Sequence, residues 1–171
     1  REMKGGGTMT FQVSSDCIID TLHSIVKYQN KYQEMDSCYP HCAEQLLDHE
    51  KEVQKNTIPF ILYTKDGCPF RADGFTMFHC HCCDEEKLKC VSSFIFRVKK
   101  IEGDCAILEL LTFNTKDDCS DATEKPSSPC HQIDYQKVKD LIRTNIFIKI
   151  KPSCFCSISC LPALFIRPRK K

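Results

Sequence analysis

Fourteen of the 171 residues are cysteines, and thiols have the widest choice of chemistry in this chain. They form four groups: Cys17, Cys38 and Cys42; Cys80, Cys82, Cys83 and Cys90; Cys119 and Cys130; Cys154, Cys156 and Cys160. Cys68 and Cys105 stand alone in strand-like surroundings. Metal ligation, thiol catalysis and covalent cross-linking compete for these residues. Zinc takes four soft or borderline ligands gathered by short loops. Its candidate ligands are Cys80, Cys82, Cys83 and Cys90 with His81, around Phe78-His79-Cys80-His81-Cys82-Cys83. The spacing is not a C-x2-C pair repeated across a loop, and adjacent Cys82 and Cys83 rarely reach one metal together. The competing reading is of thiols awaiting disulfide partners beside two exposed histidines.

Nucleophilic catalysis needs a thiol acidified by a helix start or a neighbouring base. Six histidines select no Cys-His pair, and the Cys38-x3-Cys42 and Cys156-x3-Cys160 spacings alone specify nothing. No catalytic residue is assigned, and the chain is not expected to be an enzyme.

Cross-linking uses many cysteines at once. On a strand, Cys154 and Cys156 would share a face about 6.5–7 Å apart, too far and too parallel for mutual pairing. A direct Cys82 to Cys83 bridge would close a strained small ring, so these also look outward. Bridges within a subunit stiffen it by ~2–4 kcal/mol each, whereas bridges between subunits make assembly covalent. The candidate cross-linking residues are Cys17, Cys38, Cys42, Cys119, Cys130, Cys154, Cys156 and Cys160. Cys105, on the apolar Ala106-Ile107-Leu108 run, is expected to be a buried free thiol acting as a small hydrophobe.

A chain of this length buries a core without staples, so the thiols do not stand in for one. Twenty-four Lys+Arg balance 23 Asp+Glu for a net charge of +1, which gives no whole-chain case for a nucleic-acid or membrane-surface partner. No apolar run reaches the ~18–20 residues of a membrane span. The opening Arg1-Glu2-Met3-Lys4-Gly5-Gly6-Gly7 has no apolar h-region, so no secretory signal is expected.

Residues 1–13 read as a flexible arm, 14–166 as a single cysteine-rich domain and 167–171 as a basic tail. Ile18, Leu22, Ile25, Gln29 and Tyr32 recur at three- and four-residue spacing, which predicts an amphipathic helix from Asp16 to Glu34, stopped by Pro40. A short second helix is expected over Ala43 to Lys55. Strands are expected at Thr57 to Thr64, Val91 to Ile101, Cys105 to Phe113 and Asn145 to Lys151. The second and third of these form a hairpin about Glu102-Gly103-Asp104. Asn114 to His131 reads as a long loop, and Asp134 to Arg143 has helical spacing. The expected fold is mainly β: an antiparallel β-sandwich or sheet with an N-terminal amphipathic helix, shading into α+β.

Three segments together carry a resemblance: Asn56-Thr57-Ile58-Pro59-Phe60-Ile61-Leu62-Tyr63-Thr64-Lys65-Asp66-Gly67; Ser93 to Val98 with Gly103 to Leu108; and Cys154-Phe155-Cys156-Ser157-Ile158-Ser159-Cys160-Leu161. With Cys17 at a helix start and the Cys38-x3-Cys42 pair, they resemble the spore coat protein Y/Z family of Bacillus-type endospore formers, which includes the exosporium assembly protein Y. The resemblance covers most of residues 17–161, and its C-x-C-x3-C-L ending is the most specific piece. The His79 to Cys83 cluster lies outside it. It implies a structural protein of the spore outer coat or exosporium that self-assembles into cysteine-linked, often hexameric arrays. The implied partners are further copies, other coat or exosporium proteins, or a spore appendage joined to that layer. Such proteins are made in the reducing mother-cell cytoplasm without a signal and oxidised on the spore surface. No cofactor is expected outside the zinc reading.

Overall fold

The computed structural model describes residues 17–37, 55–80, 84–114 and 125–166, without the side chains of 32–37. Its order is α1 (Cys17–Ser37), β1 (Phe60–Thr64), β2 (Ala72–Cys80), β3 (Glu85–Ser93), β4 (Phe96–Glu102), β5 (Cys105–Phe113), α2 (Pro129–Ile133), β6 (Leu141–Ile150) and β7 (Phe155–Cys160). The architecture is mainly β, with every strand pair antiparallel and a helix at the front, as the sequence predicts. No described helix is long and apolar enough to cross a membrane.

Five strands form one sheet in the order β6-β5-β4-β1-β7, and β2-β3 form a separate hairpin. The register shows that the larger sheet cannot be flat. β1 and β4 pair only at Phe60 and Phe96, the first residue of each, and then run apart. Ile150, the end of β6, lies opposite Ala106, while Phe155, the start of β7, lies opposite Thr64. In a flat sheet these two ends would be separated by more than about 30 Å of strand rise and strand spacing. The four residues between them span at most about 17 Å. The β1-β7 ribbon therefore folds over β4-β5-β6, and one core fills the space between. Phe60 and Leu62 from the ribbon meet Phe96, Val98, Leu108 and Leu110 from the other strands, with Phe155 and Ile158 packed alongside. Phe70 stacks on Phe96 at 5.6 Å and meets Phe155 edge-on at 5.1 Å.

α1 covers this core with the predicted face: Ile18, Leu22, Ile25 and Gln29 are all buried. Because β1 leaves β4 after one rung, part of β4 has an open edge, and Gln29 Nε2 donates to the Val98 carbonyl there at 2.8 Å. A buried carbonyl is costly without a donor, which is why a polar residue occupies an apolar stripe.

The opposite face of β4-β5-β6 holds a buried ionic cluster. Arg97 and Arg143 flank the fully buried Glu109, with contacts of 3.4 and 2.9 Å. A second apolar cluster on Ile95, Leu111, Leu141 and Ile166 is closed by the C-terminal segment, where Leu164 exchanges backbone hydrogen bonds with Thr57.

Several expectations need correction. The run from Val91 to Ile101 is two strands, broken at Phe94 and Ile95, because Ser93 Oγ accepts from Ile95 N and turns the chain between hairpin and sheet. The expected loop over 114–131 ends in α2, where Ser128 caps His131 N at 3.0 Å and Pro129 occupies the first turn. The helical spacing over Asp134 to Arg143 yields only a 3-10 turn at Val138–Asp140. Tyr135 adopts φ 62, and Leu141 is drawn into the second core cluster as the first residue of β6. The second helix expected over 43–55 falls almost entirely outside the described residues.

The hairpin docks through a glycine. A Cβ on Gly74 would collide with Ile146 Cγ2 and press on Leu110 Cδ2 at 3.4 Å. Gly74→Ala is expected to cost about 1–3 kcal/mol as an overpacking substitution. Urea unfolding under reductant checks it, and an unchanged midpoint would contradict this close approach.

Candidate cross-linking site

None of the nine described cysteines is joined in a disulfide. Four of them collect around one 3-10 turn, Pro152–Cys154, which is the link that folds the ribbon over the sheet. Cys154 N donates to the Lys151 carbonyl at 3.0 Å, closing the turn. Lys151 Nζ reaches Asp104 Oδ2 at 3.2 Å, which ties the turn to the two-residue β4-β5 loop and to Cys105 beside it. On the other side, β7 enters opposite Thr64 through a bulge, and the Cys156 thiol donates to the Thr64 carbonyl at 2.9 Å. Thr64 N in turn donates to the Cys68 carbonyl at 2.9 Å. The bulge and the turn thus bring the segments that carry Cys68, Cys105, Cys154 and Cys156 to one end of the fold.

None of these four thiols is buried. Cys68, Cys154 and Cys156 are exposed and Cys105 is half-buried. Cys105 is therefore not the buried thiol that its apolar run predicts: it begins β5 beside the turn, with Sγ 3.5 Å from Asp104 Oδ1. Among the described cysteines the buried one is Cys80. The surroundings mix acidic and basic groups. Lys151 and the Cys105 thiol hold Asp104 below the usual carboxylate range by hydrogen bonding, and the Thr64 hydroxyl does the same for Asp66. The Lys100 ammonium lowers Glu102 in the same way, assisted by Lys149.

The other candidates lie elsewhere. Cys154 sits in the 3-10 turn and not on a strand, so it does not share a strand face with Cys156. Cys160 lies opposite Phe60 at the far end of β7, and burial raises its thiol pKa. Cys17 starts α1 and Cys130 lies in α2, both exposed. Cys38, Cys42 and Cys119 fall outside the described residues, as do His81, Cys82 and Cys83 of the metal reading. The hairpin does not bring Cys80 and Cys90 together. Cys80 pairs with Glu85 and Cys90 with Phe75, five rungs apart on opposite faces. That separation is about 17 Å by strand rise, far beyond the reach of two ligands of one zinc ion. Among the described residues no group of three or more His, Cys, Asp or Glu is placed to hold a metal.

Cys68 and Cys105 were not among the cross-linking candidates. Each follows a turn glycine and aspartate, in Asp66-Gly67-Cys68 and Gly103-Asp104-Cys105, with Gly67 at φ 80 and Gly103 at φ 59. Turn signals next to Cys mark strand-end thiols, but which strand ends meet depends on the non-local fold-over of the ribbon.

Residues 8–163 match the family described as Spore coat protein Z. The chain is 29% identical over 151 residues to Spore coat protein Z of Bacillus subtilis (strain 168), covering 88% of this chain and 91% of that protein. No solved structure matches it.

Proposed function

The chain belongs to the spore coat protein Z family, and on that premise we propose that it is a structural, non-enzymatic component of the bacterial spore surface that self-assembles and is then locked by disulfides. The observation that carries this reading is the gathering of Cys68, Cys105, Cys154 and Cys156, none of them buried, around the turn at 152–154. A thiol meant for the core would be enclosed, as Cys80 is. A catalytic thiol would sit with a base in a cleft, whereas these four have a neighbourhood of carboxylates, lysines and backbone carbonyls.

In this reading, subunits meet first through apolar and strand-edge contacts. Two thiols on neighbouring chains then form one S–S bond, giving up two protons and two electrons to dioxygen or, by exchange, to a low-molecular-weight disulfide. Cys17, Cys130 and Cys160 supply further exposed attachment points. The chain acts as one domain over 14–166 with an arm before it and a basic tail after it. It is placed in the outer coat or exosporium, with other copies and other surface proteins as its partners.

Electron microscopy of the purified protein, paired with non-reducing electrophoresis, tests the reading. Ordered arrays and heat-resistant multimers are expected under oxidising conditions, and the multimers should vanish on thiol reduction. A monodisperse monomer after oxidation would overturn the reading.

A further inference from the structure

The β2-β3 hairpin carries apolar side chains on its outward face as well as on its inward one. Along β2 the inward positions are Ala72, Gly74, Thr76, Phe78 and Cys80, and the outward ones are Asp73, Phe75, Met77 and His79. The register sets Phe75 opposite Cys90, Met77 opposite Leu88 and His79 opposite Glu86 on that outward face. Phe75, Met77 and Leu88 are 72, 67 and 77% exposed, more than any other described large hydrophobic except Tyr135. Isolated exposed apolar residues need no explanation, but three that are contiguous on a single hairpin face do.

Charge at the two ends of the face indicates what covers it. At the base, Arg71 and Lys125 surround Asp73 at 3.9 and 3.8 Å, leaving one positive charge in excess. At the tip stand Asp84 and Glu86, with His79 3.0 Å from Asp84. A second hairpin stacked in the same direction would set like charge on like. Stacked in the opposite direction, it sets base on tip at both ends and leaves the apolar middle against itself. Such a contact is isologous and closes about a two-fold axis.

We propose that the outward face of the β2-β3 hairpin docks on the same face of a second copy of this chain, antiparallel, with the two-fold axis passing between the Phe75 and Met77 rungs. The surface is small. Six residues of strand rise run about 20 Å and two strands are about 10 Å wide, several-fold below the ~800 Å² per partner of a stable dimer. The contact is therefore weak and reversible, suited to aligning subunits before thiols join them. This deepens the self-assembly reading above by naming its non-covalent first step, and it rests on that reading.

Sedimentation velocity of the full chain in excess reductant, over a range of concentrations, separates this step from cross-linking. The wild type is expected to show concentration-dependent dimers. Met77→Lys with Leu88→Lys should weaken them by about tenfold or more, with the thermal midpoint unchanged because both side chains are exposed. Arg71→Glu and Glu86→Arg should each weaken association, and the two combined should restore most of it, an outcome that only base-to-tip stacking produces. A wild type that stays monomeric in reductant overturns the proposal, as does association indifferent to the lysine pair or a double swap no better than either single one. Heat-resistant multimers that persist on oxidation in any of those cases would leave the cross-linking reading standing.

Discussion

Replacing Glu109 with Ala should destabilise the fold by about 3–5 kcal/mol, the scale for removing one partner of a buried ionic group. The carboxylate is fully buried and accepts from Arg97 Nη1 at 3.4 Å, from Arg143 Nε at 2.9 and 3.2 Å and from Asn145 N at 3.1 Å. Without it, two guanidinium groups face each other with no anion between them. Arg97 suffers most: burial already lowers its pKa and Arg143 lowers it further, while Glu109 raises it. Its Nε has no hydrogen-bond partner even in the intact cluster. Urea denaturation under reductant, where disulfides cannot contribute, should show the loss. A change under about 1 kcal/mol would mean that water reaches both arginines. Converting all three residues together, Arg97→Met with Glu109→Leu and Arg143→Leu, should recover most of the stability, because the apolar replacement leaves no charge to solvate.

The cluster also has a positional role. Arg97, Glu109 and Arg143 lie on β4, β5 and β6, next to the register shifts in both strand pairs. Asn145 takes φ 58 there, and Thr144 Oγ1 donates to the Leu110 carbonyl at 2.7 Å. A one-residue slip would carry every side chain of a strand to the other face. A buried carboxylate that two arginines and a backbone N–H must reach at once penalises that slip.

The helix and the β4-β5 hairpin were legible because their signals are local. Ile18, Leu22 and Ile25 repeat with the helical period, and Gly103 has the positive φ that its two-residue loop requires. The β2 strand was illegible for a physical reason. Apolar residues stand on both of its faces, so no clean period-2 pattern marks a half-buried strand, and the neighbouring cysteines suggested a metal loop instead. Arg97 and Glu109 were hidden in the same way, since charged residues on a strand read as its solvent face. At the candidate site, Cys154 and Cys156 were visible as a motif. Cys68 and Cys105 depended on the fold-over of β1-β7, which follows from a single rung between Phe60 and Phe96 and from a link of four residues. A contact set by topology leaves no periodic trace.

If the thiols around the turn at 152–154 form one attachment point, serine at Cys68, Cys105, Cys154 and Cys156 together should reduce heat-resistant multimers by about tenfold or more on non-reducing electrophoresis. Single substitutions should do much less, because neighbouring thiols at one turn exchange readily and a mixed disulfide can move from one sulfur to the next. Serine is close to isosteric, and three of the four side chains are exposed, so the quadruple variant is expected to keep its unfolding midpoint under reductant. Cys80→Ser makes the contrasting control: it puts a hydroxyl in a buried site and should lower stability by about 1–3 kcal/mol while leaving the multimer yield of the folded fraction intact. Multimers undiminished in the quadruple variant would place the cross-links on Cys17, Cys130, Cys160 or the cysteines outside the described residues. The gathering of thiols at the turn would then be a consequence of chain topology without a part in assembly. Loss of multimers with the reductant-stage dimers retained would instead separate the two steps, with the hairpin face aligning the subunits and the turn joining them.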